Sequence, residues 1–181
     1  MKKFDLRWSF NFLIPALIAI TILSFVPPSY ADRLITLEKS ADVKEDSLIH
    51  TISDISEYSK IFPENVKYVK LLDNKTKLVE MNAGINGIFF DTQAICKTGS
   101  DGSYVIEVVS GDLKGTIMTT KLQKTWGFHG EKDKGTLANI SLDVKSTGFL
   151  SVILNFVPDN SLTYVVQNGF DRFVQYTQLS S

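Results

Sequence analysis

The period of the hydrophobic pattern changes along this chain, and each change marks a different kind of element. An apolar run from Leu13 to Val26 comes first. Leu34 to Lys39 alternates loosely and predicts a strand. Asp42-Val43-Lys44-Glu45 then offers a capping box, with an acid at the N-cap and Glu three residues on. The helix it predicts carries Leu48, Ile49 and Ile52 on one side. Asp54-Ile55-Ser56-Glu57 repeats the start signal. A second, short helix follows with Tyr58, Ile61 and Phe62 as its apolar positions, and Pro63 stops it. The two helices meet in a corner near Ser53.

From Val66 to Val144 the period is two. Strands are predicted over Val66–Leu72, Lys77–Ala83, Ile88–Lys97, Tyr104–Ser110, Thr116–Phe128 and Thr136–Lys145, separated by clusters of turn residues. The last alternates most clearly. Ala138, Ile140, Leu142 and Val144 point one way, while Asn139, Ser141, Asp143 and Lys145 point the other. With the first strand this makes about seven strands in antiparallel succession. After Gly148 the pattern turns helical. Phe149–Val157 is apolar on nearly every side until Pro158. Asp159 or Asn160 can cap a final helix, on which Leu162, Val166, Gly169/Phe170, Phe173 and Tyr176/Thr177 share one face.

The opening run gains meaning from its flanks. Lys2, Lys3 and Arg7 precede it, and Ser29 and Ala31 stand at the small positions of a cleavage site before Asp32. Residues 1–31 therefore read as a secretory signal peptide, with 32–181 as one domain. A retained anchor stays open, although the run is short against the roughly 20 residues of a spanning helix. Both readings place the domain in a secreted or extracytoplasmic location. Residues 32–181 carry 16 Lys/Arg against 19 Asp/Glu, with no basic cluster, so nucleic acid is not an expected partner. Cys96 is the single cysteine, so no internal disulfide forms and an inert buried thiol is expected.

The element order, strand, helix–helix, six strands, long helix, resembles the START-like or Bet v 1-like helix-grip superfamily, in its polyketide cyclase/dehydrase and lipid-transport branch. The informative segment runs from Ser53 to Val66. Asp54, Tyr58, Phe62, Pro63 and Val66 fill the superfamily's corner pattern, and Gly135-Thr136 before the last strand fits it too. The coenzyme Q-binding subgroup is a plausible near relative. The resemblance implies an α+β fold in which a curved, seven-stranded antiparallel sheet wraps a long C-terminal helix. It also implies a cavity between them for a hydrophobic small molecule, a lipid or isoprenoid quinone-like compound. The candidate lining is Met118, Thr120, Leu122, Trp126 and Phe128 from one strand, with Ala138, Ile140, Leu142 and Val144 from the last. The final helix adds Leu162, Val166, Phe170 and Phe173. Thr120 and, by parity, Lys124 would be polar handles unless a bulge intervenes. A filled core would use the same residues, so periodicity alone does not separate core from cavity. Phe149–Val157 is either an apolar lid that touches a membrane or a connector buried under the long helix. Its length favours the connector.

No catalytic constellation is legible. His50 and His129 lack metal spacing, and Cys96 has no activating partner. No phosphate loop or Ser-centred elbow occurs. Neither a cofactor nor a metal is expected. An enzyme of the cyclase or dehydratase type would need an inward acid or lysine, for which Glu80, Glu107 and Lys124 are the candidates. A third reading is a filled-core module acting through its surface. Sequons occur at Asn74 and Asn139.

Overall fold

The computed structural model describes residues 32–85, 87–126 and 135–180. The predicted signal segment 1–31 lies outside the described residues, as do Phe128 and His129. Seven strands form one antiparallel sheet: β1 (Arg33–Ala41), β2 (Val66–Asp73), β3 (Leu78–Ile85), β4 (Ile88–Thr98), β5 (Tyr104–Val108), β6 (Ile117–Thr125) and β7 (Gly135–Val144). The spatial order is β1-β7-β6-β5-β4-β3-β2. β2 to β7 thus run as a meander, and β1 closes the far edge by pairing with β7 along its whole length, from Arg33↔Val144 to Ala41↔Thr136. The helices among the described residues are α1 (Glu45–Ser53), α2 (Tyr58–Ile61), α3 (Gly148–Asn155) and α4 (Asp159–Ser180), with a 3-10 turn at Ile55–Glu57. The sheet is curved and open, as the element order predicts.

The main core forms where α1 and α4 press on one face of this sheet. Ile52 and Leu48 come from α1, Phe170 and Phe173 from α4, and Val79, Ala94, Ile106, Ala138 and Ile140 from four strands. Each strand contributes alternate residues, because successive side chains point to opposite faces. A smaller cluster of Ile35, Val144 and Leu162, with Leu154 and Val157 packed on it, sits where α4 begins.

Two local expectations need correction. The capping box at Asp42 does not start α1. The N-cap is Lys44, it makes no side-chain cap, and the first turn instead carries Glu45 and Asp46 at the positive end of the helix dipole. Fully buried Thr136 explains the delay. Its hydroxyl donates to the Val43 carbonyl at 2.6 Å, which holds the backbone after β1 on β7 until the chain has passed that contact. The second correction concerns Phe149–Val157, which is not a buried connector. Leu150 and Ser151 are buried, but Phe149, Val152 and Phe156 are 71%, 54% and 84% exposed. The segment folds as α3, and only one side of that helix finds the body of the domain.

Candidate ligand cavity

The corner between α1 and α2 is built by Tyr58. Its hydroxyl donates to the Ile52 carbonyl at 2.7 Å. That carbonyl belongs to the last turn of α1, where no intrahelical N–H is left to serve it. Phe62 and Phe173 then meet the Tyr58 ring edge-on, with ring centres 5.8 and 5.3 Å away, and lie 4.9 Å from each other. This aromatic trio locks the corner to α4.

Next to the trio the sheet and α4 do not touch. A cavity of about 360 Å³ remains. The corner supplies Ile52, Tyr58, Phe62 and Val66, and β3 supplies Ala83. Met118 and Thr120 come from β6, and Ile140 and Leu142 from β7. Val165, Val166, Gly169, Phe170 and Phe173 come from α4. Among the described lining residues only Tyr58 and Thr120 bring side-chain oxygen atoms. The Tyr58 hydroxyl is already committed to Ile52, and burial pushes its pKa well above the usual phenol range. The space is therefore a dry apolar compartment of the kind that takes an apolar guest.

Seven of the thirteen lining candidates named from the sequence line this cavity: Met118, Thr120, Ile140, Leu142, Val166, Phe170 and Phe173. Five do not, and Phe128 lies outside the described residues. Ala138 is buried in the main core and Val144 in the smaller cluster. Leu122 is partly buried against the main core, on the β6 stretch that pairs with Ala138. Trp126 follows the end of β6 and is 64% exposed. Leu162 is buried in the smaller cluster with Ile35 and Val144. All five have the right parity or helix face. They fail on the other coordinate, distance along the element, which periodicity does not measure. Lys124 likewise ends at the surface, where it pairs with Asp46 of α1 at 3.3 Å. Of the corner residues, Tyr58, Phe62 and Val66 stood in the sequence pattern and Ile52 on the first helix face, yet none suggested a lining role.

The groups an enzyme would need lie elsewhere. Glu107 pairs with Lys97 at 2.9 Å on the outer face. Glu80 stands between Val79 and Met81, both of which face the core, so it points outward. His50 is exposed on α1, and no group of His, Cys, Asp or Glu among the described residues could hold a metal. Cys96 is buried, and burial pushes its thiol up, away from the reactive thiolate.

A larger and more polar recess of about 660 Å³ adjoins the cavity. Phe62, Val66, Ala83, Val165 and Gly169 line both spaces. The recess adds Glu64, Asn65, Asn160, Ser161, Asn168 and Arg172. Asn65 fixes its rim: its side chain donates to the Gly84 carbonyl at 3.1 Å, and its own carbonyl accepts the Gly84 N–H at 2.8 Å. Arg172 reaches Glu64 at 3.3 Å from α4 to the corner. Gly169 stands at the junction. A Cβ there would meet nothing within 4 Å.

No protein-family model and no curated protein sequence matches this chain. Solved structures do. A START superfamily protein from Mycobacterium smegmatis aligns with a TM-score of 0.57 at 12% identity, over 78% of this chain and 92% of its own. Ara h 8.0201 aligns at 0.60 and 16% identity, over 83% and 100%. The Zhui aromatase/cyclase of Streptomyces sp. R1128 aligns at 0.58 and 11% identity, over 81% and 94%. This chain has the START/Bet v 1-like helix-grip fold. The grip is what leaves a cavity in this protein: α4 is held at the α1–α2 corner by aromatic contacts and at its start by the smaller cluster, and the apolar space lies between those two points.

Proposed function

We propose that this helix-grip domain binds and carries a hydrophobic small molecule, a lipid or isoprenoid quinone-like compound, outside the cytoplasm and without transforming it. One observation carries the reading: an apolar cavity adjoining a polar recess that would serve as its mouth. A volume of about 360 Å³ sits near the lower end of small-molecule sites. It suits the apolar part of one amphipathic guest, whose polar end would rest among Asn65, Asn160, Asn168 and Arg172. Burial of apolar surface, worth about 25 cal/mol per Å², would supply the affinity. The basic head, apolar run and small-residue cleavage site of the first 31 residues support the extracytoplasmic location, and a membrane surface is the natural source of such a guest.

A cyclase-type enzyme is the second reading, since one solved structure of this fold is an aromatase/cyclase. It is the weaker one. Among the described residues the lining has no carboxylate, amine or imidazole to act as general acid or base, and the Tyr58 phenol holds its proton.

Native mass spectrometry on protein purified from its own host, followed by solvent extraction, tests the carrier reading. A discrete added mass that partitions into the organic phase is the expected result. A clean apo mass that persists after incubation with host lipids would sink it. Cell fractionation with N-terminal sequencing tests the location, and a cytoplasmic chain that starts at Met1 would overturn that part.

A further inference from the structure

The exposed side of α3 is uncharged as well as apolar. Phe149, Val152 and Phe156 are spaced by three and four residues, which puts them on one face, while Leu150, Leu154 and Val157 turn inward. No charged residue occurs from Gly148 to Val157. Isolated exposed apolar residues are ordinary on any surface, but a whole uncharged helix face is not.

What distinguishes this face is the point where the chain enters the domain. Arg33 donates a hydrogen bond to the Val157 carbonyl and pairs with Asp159 at 3.4 Å. Asp32 pairs with Lys145 at 2.7 Å. Arg33 is thus fastened to the turn between α3 and α4, one residue beyond Phe156, and Asp32 to the residue that follows β7. The apolar run that ends at Val26 joins them through residues 27–31, a stretch that reaches at most about 20 Å when extended. The cavity mouth lies at this same end. Asn160 and Tyr164 of the first turns of α4 line it, and so does Gly84, beside the β3–β4 turn.

We propose that, in the anchored form that keeps the N-terminal run, the Phe149–Val152–Phe156 face of α3 docks on the surface of a lipid bilayer, beside the point where that run enters it, and that docking turns the cavity mouth toward lipid. This goes beyond the carrier reading and does not need a ligand to be present. The absence of cations on the face makes neutral lipid sufficient. Docking by apolar burial should then be insensitive to salt, unlike a basic membrane patch.

The test uses the full-length chain in phosphatidylcholine vesicles, with an environment-sensitive fluorophore on Phe156→Cys and, in a second protein, on Lys75→Cys. Both native residues are exposed, so both variants should fold, and buried Cys96 stays unlabelled. Lys75 lies in the β2–β3 turn, at the opposite end of the sheet from Arg33. The expected result is a blue-shifted emission at 156, quenched by spin-labelled lipid and unchanged in 0.5 M salt, which shortens the Debye length to about 4 Å without weakening apolar contact, with neither effect at 75. Emission at 156 matching that at 75 overturns the proposal. A blue shift that spin-labelled lipid does not quench also overturns it, because the face is then covered by protein, either the chain's own N-terminal run or a second copy. Solvent extraction of the same samples reads ligand retention separately, so failure of docking and failure of the carrier reading are told apart.

Discussion

Tyr58 is the residue on which the corner depends, and its removal has two separable consequences. Tyr58→Phe keeps the ring contacts with Phe62 and Phe173 but leaves the Ile52 carbonyl without its donor. An unsatisfied buried acceptor costs about 1–3 kcal/mol, which urea denaturation should show as a lower midpoint with an unchanged slope. The second consequence is in the pH profile. Burial raises the pKa of Tyr58 and also that of Tyr104 above the ordinary value of 10.0. Above pH 10 the unfolded chain releases these protons while the folded chain keeps them. The folded state then binds more protons, so stability is complete below pH 10 and falls as pH rises beyond it. Each tyrosine contributes roughly 1.4 kcal/mol per pH unit to that fall. Urea midpoints measured between pH 9 and 11 should therefore decline more steeply for the native protein than for Tyr58→Phe. Parallel slopes would show that Tyr58 is not held protonated by the fold.

At the scale of elements, the β3–β4 hairpin sets the rim of the mouth through a close approach that only glycine allows. A Cβ on Gly84 would lie 2.1 Å from the Ile88 carbonyl oxygen and 2.9 Å from the Phe89 Cα, both of them backbone atoms that cannot rotate away. Gly84→Ala should destabilise the domain by roughly 1–3 kcal/mol. It should also loosen the two hydrogen bonds between Asn65 and Gly84, which hydrogen exchange at the Gly84 amide would register as lost protection. Elements are also the scale at which the sequence is most readable. The seven strands, the corner from Asp54 to Val66 and the final helix are legible because each has a period or a breaker of its own. The start of α1 is not, because a tertiary bond from Thr136 to Val43 overrides the local capping signal. α3 is misread for a related reason. A short apolar run looks like core from sequence, and nothing within it says that one face lacks a partner.

The cavity belongs to the whole molecule, which is why its lining is only partly legible. Parity tells that Met118, Leu122 and Trp126 share a side of β6. It does not tell that only the first lies over the gap that α4 leaves. Gly169 is where this matters for function. A glycine inside a helix costs about 1 kcal/mol relative to alanine, and in the 22-residue α4 no packing contact requires it, since a Cβ there meets open space. Gly169→Ala should therefore stabilise the protein by up to about 1 kcal/mol, read as a higher urea midpoint, while ligand capture stays near the native level. A larger side chain at the same position has a different effect. In Gly169→Leu the added atoms enter the space shared by the polar mouth and the apolar cavity, with helix propensity still improved. The expected outcome is a folded protein, at least as stable as the native one, from which the extractable added mass is lost. Stability and ligand retention normally fall together when a core is damaged, so their opposite movement at one residue is the signature of a blocked passage. A Gly169→Leu protein that is stable and retains its full ligand load would show that the guest enters or sits elsewhere.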